Sequence, residues 1–90
     1  MNTITIYSTA SCGFCRMLKR FLDDHKISYV TKMADEDQAI AQELFEKSGQ
    51  LGVPFSIITD QDGNQVDTML GFDAQKINGL IQDGTLAPTK

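Results

Sequence analysis

The stretch TITIYSTASCGFCRMLKRFLDD, residues 3–24, changes its hydrophobic period in the middle. Residues 3–7 form a short alternating run of β-branched and aromatic side chains, which is typical of a strand. After a small, polar loop, the apolar residues recur at the spacing of one helix face and predict a helix from about Gly13 to Asp24. This order places Cys12 at the N-terminal edge of the helix.

Cys12 and Cys15 form a C-x-x-C motif at this junction. A sulfur at a helix N-terminus faces unpaired backbone N–H groups and the positive end of the helix dipole, and both stabilise the thiolate that attacks disulfides. Cys15 lies nearly one helical turn further, so its sulfur can reach back. We predict that Cys12 is the nucleophile and Cys15 the resolving thiol, with Phe14 as an apolar surface beside them.

Two other uses of a C-x-x-C pair have to be weighed against redox chemistry. A structural zinc site usually needs two more Cys or His ligands, and only His25 remains, at the far end of the helix. A purely structural disulfide is the second alternative, although a pair of cysteines in a reducing compartment favours catalysis.

The remainder of the chain predicts three strands and two helices. A β-rich run at 27–33 precedes the acidic cluster at 35–37, and acidic residues favour a helix start, here over about 36–48. A metal site is the alternative interpretation of that cluster. Turn residues at 60–64 predict a β-hairpin between strands at 55–59 and 65–69.

The last helix is predicted to begin after Asp73, which has the position of an N-cap. Its apolar stripe is Ile77, Leu80 and Ile81. The element order is therefore β-α-β-α-β-β-α, which predicts an α/β fold with a mixed four-stranded sheet covered by three helices.

The composition predicts one domain over 1–90, with a core at about 3–83 and a loose C-terminal tail at 84–90. Hydrophobic residues at 41% and charged residues at 22% are typical of a globular chain. The net charge of −4 argues against nucleic-acid binding, and no apolar run reaches the roughly 20 residues of a membrane helix. The first residues lack the pattern of a signal peptide, so we expect a cytoplasmic protein that binds neither nucleic acid nor membrane.

Three motifs together resemble the glutaredoxin family over about 3–81. They are CGFC at 12–15, SG at 48–49 leading to GVP at 52–54, and GFD at 71–73. The resemblance implies a thioredoxin fold and a thiol–disulfide oxidoreductase that reduces protein disulfides or glutathione mixed disulfides by a dithiol relay. It also implies a monomer with no bound cofactor, which takes electrons from glutathione or from thioredoxin reductase.

The resemblance also implies a substrate site. Val53 and Pro54 correspond to a Val-Pro step with a cis peptide bond, whose backbone pairs with the thiol substrate. Lys47 matches a basic position that faces the glycyl carboxylate of glutathione, with a solvated surface as its alternative. From its place beside the cysteines, Arg16 is expected to favour the thiolate or attract an anionic thiol, and a solvated helix face is again the alternative.

Gly71, Phe72 and Asp73 resemble the family loop that holds the γ-glutamyl end of glutathione. The backbone N–H groups of Phe72 and Asp73 would bind its carboxylate, and the Asp73 side chain would accept from its amine while also serving as an N-cap. Family members often have a Lys where this chain has Thr9. We therefore expect glutathione to reduce the protein with only modest efficiency.

An iron–sulfur carrier is the competing function from another class. Two chains would each give Cys12, and two glutathiones would complete four thiolate ligands. Gly13 and Phe14 between the cysteines favour this interpretation. Cys15 disfavours it, because it competes for Cys12 as an internal disulfide partner.

Overall fold

The computed structural model describes residues 2–89. Within this range the secondary structure follows the predicted order: β1 (Thr3–Ser8), α1 (Gly13–Asp24), β2 (Tyr29–Met33), α2 (Gln38–Ser48), β3 (Phe55–Thr59), β4 (Gln65–Leu70) and α3 (Ala74–Gln82). None of these helices is long and apolar enough to cross a membrane.

The four strands form one mixed sheet in the order β2-β1-β3-β4. The β1 and β2 strands are parallel, whereas the β1–β3 and β3–β4 pairs are antiparallel. A parallel pair requires a crossover, which α1 supplies, and the antiparallel β3–β4 pair needs only the turn at 60–64. The α/β fold predicted from the sequence is confirmed.

The sheet separates two hydrophobic clusters because successive side chains of a strand point to opposite faces. On one face, Ile4 and Ile6 of β1 pack with the buried sides of α1 and α3. On the other face, Tyr7 packs with Leu44 of α2 and with residues of β3. The site at the end of β1 therefore lies on a strand that is buried from both sides.

Two elements begin later than the sequence predicts, and local geometry explains both. The β2 strand begins at Tyr29 because Lys26 adopts a left-handed φ of 61° and Ile27 donates its N–H to Leu22 O at 2.9 Å, which closes the end of α1. The α2 helix begins at Gln38 because Asp37 is its N-cap, with a side chain that accepts from the backbone N–H of Ala39.

The prediction of a loose tail is wrong for residues 84–89, while Lys90 lies outside the described residues. Leu86 is 1% exposed and belongs to the cluster under α1 and α3. Thr89 donates its N–H to Lys26 O at 2.7 Å, and its hydroxyl accepts from Ser28 N at 2.7 Å. Sequence inspection missed this anchoring because one leucine has no periodic pattern, and its partners are far away in the chain.

Candidate active site

Cys12 and Cys15 are joined by a disulfide at the start of α1, with their Cα atoms 5.3 Å apart. Cys12 is the N-cap of the helix: its backbone is extended, and its Sγ accepts a hydrogen bond from Cys15 N at 3.1 Å. The N–H that would stabilise a thiolate on Cys12 is therefore already aimed at the sulfur.

The two cysteine residues differ in their exposure to solvent. Cys12 is half-buried, whereas Cys15 is 1% exposed and points with Leu18 and Leu22 into the protein. Cys12 is therefore the more accessible of the two to an incoming disulfide, and Cys15 lies where it can attack a sulfur attached to Cys12. This difference in exposure is what a relay with Cys12 as the nucleophile and Cys15 as the resolving thiol would require.

The loop before Cys12 is held at Ala10 from both sides. The Asp35 carboxylate accepts from Ala10 N at 2.9 Å, and Arg16 Nη1 donates to Ala10 O at 3.2 Å. Arg16 thus contacts the loop that carries the nucleophile. Asp35 was predicted as charge at a helix start, with a metal site as the alternative, and not as a partner of this loop. Its position after β2 was a usable signal, because parallel β1 and β2 end at the same edge of the sheet.

A groove of about 500 Å³ opens beside the disulfide. Eight residues line it, and two of them, Leu70 and Ala74, were not named by the sequence analysis. The other six are predicted substrate residues: Phe14, Val53, Pro54, Gly71, Phe72 and Asp73. This volume is ordinary for a small-molecule site. Phe14 is 63% exposed, so the wall of the groove nearest to the cysteines is an accessible apolar surface.

Two loops form the floor of the groove. The Val53–Pro54 peptide bond is cis, as the family resemblance implied. Gly71 has a left-handed φ of 79°, a conformation that favours glycine, and donates its N–H to Pro54 O at 2.8 Å. Asp73 follows as the N-cap of α3, where its side chain accepts from Lys76 N at 3.1 Å.

Lys47 is not among the residues that line this groove. It lies in the last turn of α2, one turn after Glu43, and the two line a separate cavity of about 150 Å³ with Tyr7 and Lys32. A lysine four residues after a glutamate on a helix faces that carboxylate. The structure therefore places Lys47 beside Glu43 rather than beside the predicted glutathione subsite.

Tyr7, Lys32, Glu43 and Lys47 form a polar cluster around this cavity, and Tyr7 is buried in it. Burial, reinforced by a hydrogen bond to Glu43 and by the charge of Glu43, raises the pKa of Tyr7 from 10.0 to about 12. Lys32 donates to Glu43 at 3.0 Å, and this bond holds the pKa of the carboxyl below its usual value. The cluster joins β1, β2 and α2 under the strand that leads to Cys12.

Tyr7→Phe tests this cluster through alkaline unfolding. Because the folded protein binds the Tyr7 proton more tightly than the unfolded chain, this stabilisation is complete below pH 10 and is lost as the pH rises through 12. We expect the wild type to lose about 2 kcal/mol more than Tyr7→Phe across that interval, measured by denaturant titration at each pH. Parallel losses in the two proteins would show that Tyr7 is not the titrating group.

Among residues 2–89, no three His, Cys, Asp or Glu side chains come together as a potential metal site. Asp35 and Asp37 of the acidic cluster are instead committed to backbone N–H groups of Ala10 and Ala39. The arrangement beside the groove is that of two sulfurs at a helix N-terminus, which is suited to disulfide exchange.

Comparisons with known proteins agree with this geometry. The glutaredoxin family model matches residues 4–61. A glutaredoxin-like 8.6 kDa protein of the rubredoxin operon of Clostridium pasteurianum is 33% identical over 79 residues, which are 88% of this chain and 97% of that protein.

Solved structures share the thioredoxin fold with this chain. The glutaredoxin-like NrdH-redoxin from Escherichia coli is 23% identical with a TM-score of 0.67, over 87% of this chain and 93% of its own. Buckwheat glutaredoxin, solved as a complex with glutathione, is 24% identical with a TM-score of 0.60, over 93% and 72%. With its redox-active cysteine pair and these matches, the chain belongs to the glutaredoxin family of thiol–disulfide oxidoreductases.

Proposed function

We propose that this protein reduces protein disulfides and glutathione mixed disulfides by a dithiol relay between Cys12 and Cys15. The observation that carries the proposal is the unequal exposure of the two cysteine residues, half-buried at Cys12 and buried at Cys15. A relay needs an accessible nucleophile and a protected resolving thiol, and a purely structural disulfide needs neither.

The relay runs in two exchange steps. The Cys12 thiolate attacks one sulfur of the target disulfide, forms a mixed disulfide with it and expels the other sulfur, which takes a proton. Cys15 then loses its proton and attacks Sγ of Cys12, which releases the second target sulfur as a thiol and forms the Cys12–Cys15 disulfide. Two electrons and two protons pass to the target.

Glutathione is the proposed reductant. One glutathione thiolate opens the protein disulfide and attaches to Cys12, and a second releases it as glutathione disulfide, leaving both cysteines reduced. The groove beside Phe14 has room for the tripeptide, and Asp73 adds a carboxylate to its lining. Buckwheat glutaredoxin, with the same fold, forms a complex with glutathione.

Thioredoxin reductase is the second candidate donor. NrdH-redoxin, a glutaredoxin-like protein with a thioredoxin-like activity profile, has a similar structure. The position of Lys47 also favours this candidate, because the lysine lies beside Glu43 and leaves the groove without one of the charges expected to bind a glutathione carboxylate.

Asp73→Asn separates these donors. The amide keeps an oxygen that can cap α3 but removes the charge that would attract the glutathione amine. We expect kcat/KM for glutathione to fall about tenfold or more, the loss that follows from one charge-assisted hydrogen bond, while the thermal midpoint stays near that of the wild type. The assay couples turnover to glutathione reductase, with thioredoxin reductase as a parallel donor.

Asp37→Asn is the matched control, since it makes the same change at the N-cap of α2, which does not line the groove. It should leave kcat/KM for glutathione unchanged. Fast glutathione turnover that ignores Asp73→Asn would contradict the proposed subsite. If thioredoxin reductase supports turnover and glutathione does not, thioredoxin reductase is the electron donor in place of glutathione.

A further inference from the structure

Ser56 carries a buried hydroxyl that has no hydrogen-bond partner within residues 2–89. The residue lies in β3 and is 0% exposed. Most buried polar side chains in folded proteins are paired, because an unpaired one loses its bonds to water without replacement. The hydroxyl is therefore a destabilising feature of the disulfide form and calls for a partner in another state.

The fold places Ser56 and Cys15 in the same layer. Ser56 pairs with Ile6 of β1 and Met69 of β4, and both neighbours belong to the cluster covered by α1 and α3. The alternation of side chains along β3 supports this placement of Ser56, since its neighbour Phe55 belongs to the cluster on the opposite face of the sheet. Cys15 is the buried residue in the first turn of α1, and it lies on the same helix face as Leu18 and Leu22, which belong to this cluster.

Ser56 and Cys15 also lie at the same end of the sheet. Ser56 pairs with Ile6, two residues before Ser8, where β1 ends and the chain crosses to Cys12. Cys15 begins the inward face of α1 at that end, and Leu18 and Leu22 follow further along the helix. The unpartnered hydroxyl and the buried sulfur thus lie at the same end of the same layer.

We propose that Ser56 is a positioning residue for Cys15, whose sulfur accepts a hydrogen bond from the Ser56 hydroxyl in the dithiol form. In the disulfide form Sγ of Cys15 is bonded to Cys12, and the hydroxyl has no hydrogen-bond partner in the described part of the chain. Reduction by the donor adds two electrons and two protons and breaks the S–S bond, which frees Sγ of Cys15 to turn and accept. The Ser56 proton stays on its oxygen throughout.

This role rests on the proposed relay and adds a direction to it. A hydrogen bond present only after reduction stabilises the dithiol relative to the disulfide. It raises the reduction potential of the pair and holds Cys15 on the inner side while Cys12 attacks a target. Ser56 is therefore expected to tune the redox equilibrium without touching the substrate.

The test measures the dithiol–disulfide equilibrium of the full chain in dithiothreitol redox buffers, with the reduced fraction determined by thiol alkylation and mass. Ser56→Ala should move the equilibrium about tenfold towards the disulfide, which is about 30 mV more negative for a two-electron couple. Ser56→Thr retains a hydroxyl and a β-branched side chain that suits a strand, so it should remain close to the wild type.

Ser8→Ala is the matched control. Ser8 is also a fully buried serine on the same face of the sheet, but its hydroxyl donates to Thr9 O at 3.4 Å in the disulfide form. Its removal should not shift the potential. Denaturant unfolding of both redox forms provides a second measurement: Ser56→Ala should destabilise the dithiol relative to the disulfide by the same tenfold factor.

An unchanged potential in Ser56→Ala, or an equal shift in Ser8→Ala, would overturn the role of Ser56 while wild-type turnover leaves the relay intact. Failure of the relay has a different signature. In that case the wild type would reach redox equilibrium normally but show no turnover with either donor. The shift in reduction potential of Ser56→Ala would still decide whether Ser56 acts on Cys15.

Discussion

Cys12→Ser is expected to abolish disulfide reduction, with kcat falling to the background of the assay. Serine is itself a good N-cap, so the variant keeps the start of α1 and loses only the sulfur. A serine hydroxyl is not ionised near neutral pH and does not form a stable bond to a target sulfur, so neither exchange step can begin. The measurement is turnover of a mixed-disulfide substrate with each donor, together with the thermal midpoint.

Cys15→Ser is the informative counterpart, because it removes the resolving thiol and leaves the nucleophile. We expect the mixed disulfide between Cys12 and a target protein to accumulate, visible as a covalent adduct on a non-reducing gel. Full turnover by Cys12→Ser would contradict the assignment of the nucleophile. Absence of any adduct with Cys15→Ser, in the presence of an oxidised target, would contradict the order of the two steps.

Leu86→Ala is expected to destabilise the protein by about 2–5 kcal/mol, the usual cost of truncating a buried leucine. The loss is large against the roughly 5–13 kcal/mol that a chain of this length has in total. It follows from the burial of Leu86 with Ile4, Leu18 and Ile77 in the cluster under α1 and α3. Denaturant titration of the oxidised protein measures it directly.

Leu51→Ala is the control for the effect of leucine truncation itself. Leu51 is 62% exposed, and a surface substitution of this kind usually changes stability by less than about 0.5 kcal/mol. If Leu86→Ala lowers the free energy of unfolding no more than Leu51→Ala does, residues 84–89 contribute nothing to the core, as the sequence analysis predicted.

Local patterns predicted most of the fold. The apolar period of α1 and the turn residues between β3 and β4 fixed those elements at their observed positions, because the signals lie within a few residues of each other. The N-cap at Asp73 follows the same rule, whereas Asp37 was predicted to lie inside the helix over about 36–48 and is its N-cap instead. The boundary of β2 was missed because it depends on the left-handed Lys26, and a lysine gives no sequence signal for that conformation.

Contacts between distant segments account for what the sequence did not predict. Six of the eight residues that line the groove were found through family motifs, but Asp35 was not found as a partner of the Ala10 loop, since 25 residues separate them. The place of Lys47 depends on its angular position on α2 relative to the sheet, which the motif does not encode. The unpaired hydroxyl of Ser56 is likewise visible only after β3 has been paired with its neighbours.

Both described ends of the chain lie at the end of the sheet away from the disulfide. The side chain of Asn2 donates to Thr85 O at 2.9 Å, and Thr89 bonds to Lys26 and Ser28 just before β2 begins. The disulfide lies beyond the other end of β1, a strand that spans about 20 Å. A domain fused to either end would therefore emerge away from the reactive cysteines. A fusion partner or reporter attached there would leave the disulfide accessible to its substrates.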